Sequence, residues 1–125
     1  MAVLPETVSI AWEDREGPVV LATVDKNGNP NAIYANSVSK YNEEMIVIAD
    51  NYFSKTLENI QSGSKGSVLF LTSEKKSYQI KGKISYLTEG PVFDDMKTWN
   101  PTRHPGRAAV AIHVEEVYSG AKRLA

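Results

Sequence analysis

Hydrophobic and polar positions alternate most cleanly from Ser77 to Tyr86. Tyr78, Ile80, Gly82, Ile84 and Tyr86 fall on one side, and Ser77, Gln79, Lys81, Lys83 and Ser85 on the other. A period of two marks a half-buried β-strand. Five more β-rich runs are legible: Val19–Val24, Asn31–Lys40, Met45–Ala49, Ser67–Thr72 and Ala108–Tyr118. Asp25-Lys26-Asn27-Gly28-Asn29-Pro30 separates the first two, and Asn-Gly between such runs is a hairpin signal. Tyr41-Asn42-Glu43-Glu44 makes a second turn, so the first ~50 residues read as a three-stranded meander. Helical spacing appears three times. Leu4, Val8, Ala11 and Trp12 share one face ahead of a Gly17-Pro18 stop. Ser54 to Gln61 turns Leu57 and Ile60 inward and ends at Ser62-Gly63. Gly90-Pro91 opens a third helix with Val92, Phe93, Met96 and Trp99 as its apolar stripe. Six strands with few, short helices predict a mainly β fold, a small barrel forming one domain over residues 1–125.

With 42% hydrophobic and 23% charged residues, the chain has what a single packed core requires. Fourteen Lys and Arg balance fifteen Asp and Glu, which argues against nucleic acid as a partner. The charge is uneven: residues 1–62 hold nine acids and four bases, and residues 63–125 hold six acids and ten bases. That polarity helps two halves, or two copies, attract each other. Without cysteine there are no disulfides, thiolate metal sites or cysteine nucleophiles. No apolar run approaches the ~18 residues of a membrane span, and the N-terminus lacks the regions of a signal peptide. The expectation is a soluble cytoplasmic protein with no membrane partner.

Most familiar catalytic motifs are absent. His104 and His113 lie too far apart, and without supporting ligands, to make a metal site. His113 falls within a strand. His104 sits in the basic loop Arg103-His104-Pro105-Gly106-Arg107, either simply solvated or at the edge of a ligand or subunit. Gly63-Ser64-Lys65-Gly66 follows a helix and precedes a strand, the reverse of a phosphate loop. No G-x-S-x-G elbow is present. Ser54-Lys55-Thr56 is more informative. It opens a helix just after a strand, where free N–H groups favour an anion, and it adds an ammonium and a hydroxyl suited to phosphate. The alternative reading is a Ser54 cap beside a solvated Lys55. Tyr34, Asn36 and Ser37 form a second group. Alternation puts Tyr34 and Asn36 on one face, able to address a planar ligand, or to serve as a polar ladder.

The order of these pieces resembles the FMN-binding split β-barrel family, which contains pyridoxamine phosphate oxidase and small bacterial FMN-binding proteins. The likeness covers almost the whole chain. It runs through the helix ending at Gly17, the strand Val19–Val24, the turn Asp25–Pro30, Asn36-Ser37, Lys55-Thr56 with Asn59, Thr88-Glu89-Gly90-Pro91-Val92-Phe93, and the last strand. It implies a six-stranded antiparallel split β-barrel, with FMN bound at a homodimer interface. By this likeness Lys55 and Thr56 hold the phosphate, with Ser54 beside them at the helix start, while Tyr34, Ala35, Asn36 and Ser37 run along the ribityl chain and ring. Ala49, Asp50 and Asn51 border the ring with their backbone. Trp99 and the loop Asn100–Arg107 are candidates for the contribution of a second subunit, with Trp99 either stacked at the flavin edge or part of the core.

One departure bears on activity. Pyridoxamine phosphate oxidases carry R-x-H near the C-terminus, whereas Arg103 and His104 are adjacent here, so oxidation of vitamin B6 is not expected. The expectation is an FMN-binding flavoprotein that transfers electrons or reduces a small acceptor, with a small-molecule or protein donor. A non-catalytic module of the same barrel, holding flavin, deazaflavin or haem, is the alternative.

Overall fold

A computed structural model describes residues 2–125. In chain order the elements are α1 (Glu6–Glu13), β1 (Val19–Val24), β2 (Pro30–Ala35), β3 (Val38–Asn42), β4 (Met45–Asp50) and α2 (Lys55–Gln61). Then follow β5 (Gly66–Leu71), β6 (Ser77–Leu87), α3 (Pro91–Trp99), β7 (Ala108–Ser119) and β8 (Lys122–Arg123). All pairings are antiparallel, in the order β2-β1-β5-β6-β7-β4-β3, with β8 added to β7.

The strand count is eight, not the expected six. The run Asn31–Lys40 is two strands, because its halves pair with opposite edges of the sheet: β2 with β1, and β3 with β4. At the break the Val38 amide bonds back to the Asn36 carbonyl (3.0 Å), while the Ser37 carbonyl accepts from Ala49 N–H (2.9 Å). The short β8 is the second addition. Only Asn36 and Ser37 separate strands at the two ends of the sheet. Three Cα–Cα steps span at most about 11 Å, so the sheet must curl until its edges meet. That is a split barrel, joined along the seam by covalent chain.

The inner face carries the core. Val19 and Leu21 of β1, Ile46 and Ile48 of β4, Val68 and Phe70 of β5 and Ile80 of β6 are buried there. On β7 the inward residues are Val110, Ile112 and Val114, then Val117. The step of three arises because Lys81 faces Glu116 while Gly82 faces Val114, leaving Glu115 as a bulge. Helix α1 contributes Val8, Ala11 and Trp12 to this core, and Trp12 meets Phe70 edge-on at 5.1 Å.

β4 is buried on both faces. Its outward Val47 and Ala49, with Ala109 and Ala111 of β7, are covered by Met96, Val92, Phe93 and Trp99 of α3. The α3 stripe therefore packs on the chain's own sheet, with Met96 buried and Val92, Phe93 and Trp99 half-buried.

Candidate functional site

Because β2 ends the sheet, one of its edges has no neighbouring strand, and edge backbone groups can bond a ligand. An open cleft of about 440 Å³ lies against it, within the range typical of ligand sites. β2 and the Asn36-Ser37 link form one wall. Ala49, the loop Asn51–Ser54, Lys55 and Thr56 form the other, and His104 closes one corner. Six residues from Asn31 to Asn36 run roughly 16 Å at a strand's rise, which sets the length of the wall.

One end is cationic and hydroxylic. Asn31 Nδ2 donates to Thr56 Oγ1 (3.1 Å), tying β2 to α2, and Thr56 is itself buried. Lys55 Nζ stands 3.8 Å from Asp25 Oδ2 and is half exposed. The Asp25 carboxyl is held below the usual carboxylate range, first by the Asn29 backbone N–H and its side-chain amide, with Lys55 adding less. The hairpin turn that Asn-Gly predicts thus also stations the Lys55 charge. Ser54 occupies the residue before α2 but makes no side-chain cap bond.

Amides converge at the other end. Asn51 and Asn100 exchange hydrogen bonds of 3.1 and 2.9 Å, Asn51 Nδ2 also reaches Ser37 Oγ (3.3 Å), and Gly106 N–H donates to Asn51 Oδ1 (2.9 Å). These bonds pin the loop after α3 onto the end of β4. At the corner, Tyr52 Oη and His104 Nδ1 lie 3.1 Å apart with the rings edge-on.

Ten of the residues singled out from sequence line this one cleft: Tyr34, Ala35, Asn36, Ser37, Ala49, Asn51, Ser54, Lys55, Thr56 and His104. Tyr34 and Asn36 do not share a strand face, since β2 ends at Ala35. Two residues lie elsewhere. The Asp50 side chain is fully buried, accepting from Phe53 N–H (2.9 Å), Arg107 Nη2 (2.8 Å) and Tyr86 Oη (2.5 Å). It braces the cleft wall from behind. Trp99 packs beside Met96, with its indole N–H donated to Asp95 (3.2 Å), and borders a separate recess. Arg107, at the end of the loop expected to contribute to a second subunit, is held within its own chain by Asp50 and by the Phe53 carbonyl (2.7 Å). That carboxylate raises the guanidinium's pKa. The Tyr86 phenol is pushed up to about 12, first by burial and then by its bond to Asp50.

Asn31, Ile33, Tyr52 and Phe53 also line the cleft and were not singled out from sequence. For Asn31 and Ile33 a signal existed, since they alternate with Ala35 along the same strand. Tyr52 and Phe53 lie in a loop, where no periodicity marks them.

The family model described as pyridoxamine 5'-phosphate oxidase matches residues 10–120. An uncharacterized protein of Methanocaldococcus jannaschii is 31% identical over 107 residues, covering 81% of this chain and 71% of that protein. Among solved structures, HupZ of Group A Streptococcus superposes with a TM-score of 0.83 at 23% identity, over 98% of both chains. An FMN-binding protein of Syntrophomonas wolfei gives 0.75 at 22% identity, over 86% of this chain and 80% of that one. A match over nearly the full length, on a curled antiparallel sheet with its cleft at the seam, leads to one assignment: the chain belongs to the pyridoxamine 5'-phosphate oxidase family.

Proposed function

We propose that the chain is a homodimeric flavoprotein that binds FMN in this cleft and passes electrons to, or reduces, a small acceptor. The observation that carries the reading is the chemical gradient along β2. A cation and hydroxyl stand at one end (Lys55 and Thr56, with Asn31), apolar walls lie between (Ile33, Ala35 and Ala49), and amide and hydroxyl groups stand at the other (Asn36, Ser37 and Asn51). The cation and hydroxyl match a phosphate, the apolar walls match the faces of a planar ring, and the amides and hydroxyl match its polar edge, while the open β2 edge offers backbone groups to the polar chain between phosphate and ring. Lys55 and the Thr56 hydroxyl hold the phosphate by charge-assisted bonds. The free edge of β2 and the amides at the seam orient the ring. When bound, FMN supplies the redox chemistry. The cleft presents no carboxylate, and its titratable side chains are Tyr34, Tyr52, Lys55 and His104, which suits chemistry carried by a cofactor. The similar Syntrophomonas wolfei protein is itself described as FMN-binding.

A second copy docks on the outer face of β2, β1 and β5 in this reading. Tyr34, Val20 and Leu69 form one row across those strands, and Tyr34, Leu69, Leu71 and Val24 are exposed. Tyr34 stands on both this face and the cleft rim, so a partner there would complete the cleft wall.

The test is a calorimetric titration with FMN and with riboflavin, which lacks the phosphate. Lys55→Ala is expected to weaken FMN about tenfold and leave riboflavin unchanged. Equal loss for both ligands, or no binding of either by the unaltered chain, overturns the assignment. Bleaching of bound flavin by a nicotinamide cofactor, followed by reoxidation, separates turnover from simple holding.

A further inference from the structure

A recess of about 350 Å³ adjoins the cleft, sharing Asn36, Ser37 and His104 with it. Trp99, Pro101 and Arg103 line its far side, and Ser39 lies on the near side. We propose that this recess binds a small planar anion, an aryl or conjugated carboxylate, which on the reading above is the acceptor presented to the cofactor cleft.

Each wall carries part of the recognition. The indole of Trp99 is half-buried, backed by Met96 and fixed in orientation by its N–H bond to Asp95, so it offers a set surface for a flat ligand. Pro101 adds a rigid apolar surface beside it. Arg103 is exposed, and among the described residues no carboxylate pairs with it. Its guanidinium fork matches a carboxylate through two parallel hydrogen bonds. The Asp50 charge is answered by Arg107, and Asp95 is engaged with the indole. His104 faces both spaces. In the tautomer in which the Tyr52 hydroxyl donates to Nδ1, Nε2 carries the ring hydrogen and donates to a bound carbonyl or carboxylate. A ligand seated on Trp99 and Arg103 therefore reaches toward the amide end of the cleft past Asn36 and Ser37.

The experiment is an amide and indole NMR titration of the full ¹⁵N-labelled chain with 4-nitrobenzoate, and with neutral 4-nitrobenzamide as the control. The Trp99 indole signal and the amides of Ser39 and Arg103 should shift saturably, while the buried Trp12 indole stays fixed. Arg103→Gln should weaken the carboxylate about tenfold and leave the amide control unchanged; the side chain is exposed, so the fold is retained. A separate FMN titration read at Asn31 and Thr56, which do not line the recess, reports on the cofactor assignment alone. Equal affinity for carboxylate and amide, no response to Arg103→Gln, or shifts confined to other surfaces overturns the proposal.

Discussion

Tyr86→Phe tests the brace behind the cleft. Tyr86 donates to Asp50 Oδ2 at 2.5 Å, and the same buried carboxylate receives Phe53 N–H and Arg107. Burial first, and then the bond to a buried carboxylate, oppose ionisation and push the phenol up to about 12 from 10.0. Two pH units correspond to at most ~2.7 kcal/mol of stability, and partial solvent access to the ring lowers this to about 1–2 kcal/mol. The sign follows from a raised folded value. The contribution is whole below about pH 10, where the unfolded phenol is still protonated, and is lost as pH rises toward about 12. Urea unfolding of both proteins from about pH 8 to about pH 11 isolates the effect, because the other tyrosines and the lysines are common to the two chains. The stability gap should hold steady to about pH 10 and then narrow. Parallel curves throughout, or equal stability at about pH 8, would refute the brace. Amide exchange at Phe53, which shares the Asp50 carboxylate, should quicken in the variant.

Gly82→Ala should cost about 3 kcal/mol or more in urea unfolding, since an added Cβ would sit 1.6 Å from the His113 carbonyl oxygen and the β6–β7 ladder must open. Gly66→Ala meets only the ends of Ile84 and Ile112, at 2.9 and 3.0 Å, so its expected cost is about 1 kcal/mol. Asn100→Ala strips both bonds from Asn51 and should destabilise by about 1–3 kcal/mol, with weaker FMN binding by titration. Leu69→Asp, on the exposed face of β5, should shift sedimentation from dimer to monomer while the apo-chain's circular dichroism is preserved.

Alternation and turn chemistry sufficed for most of the architecture. The period of two from Ser77 to Tyr86, the Asn-Gly turn and the Pro91 helix start each act within a few residues, so each is legible locally. By the same locality Tyr34, Asn36, Ser37, Ser54, Lys55 and Thr56 stand out as short segments carrying polar or phosphate-suited side chains, whereas Ala35, Ala49 and Asn51 come from the resemblance to the family. Tertiary structure decided what local pattern cannot encode. The run Asn31–Lys40 looks continuous, yet it breaks because its halves pair with strands at opposite ends of the sheet. Asp50 is expected to border the ring with its backbone, and local pattern does not show that its side chain faces inward to meet Tyr86 and Arg107, 36 and 57 positions away. What the α3 stripe packs on is not legible locally, and the surface proves to be β4 and β7. Side-chain spacing along a strand dictates which residues share a face. Which charge answers which, and what fills the space above that face, depends on chain closure across the whole barrel, where contacts distant in sequence offset the entropy of bringing them together.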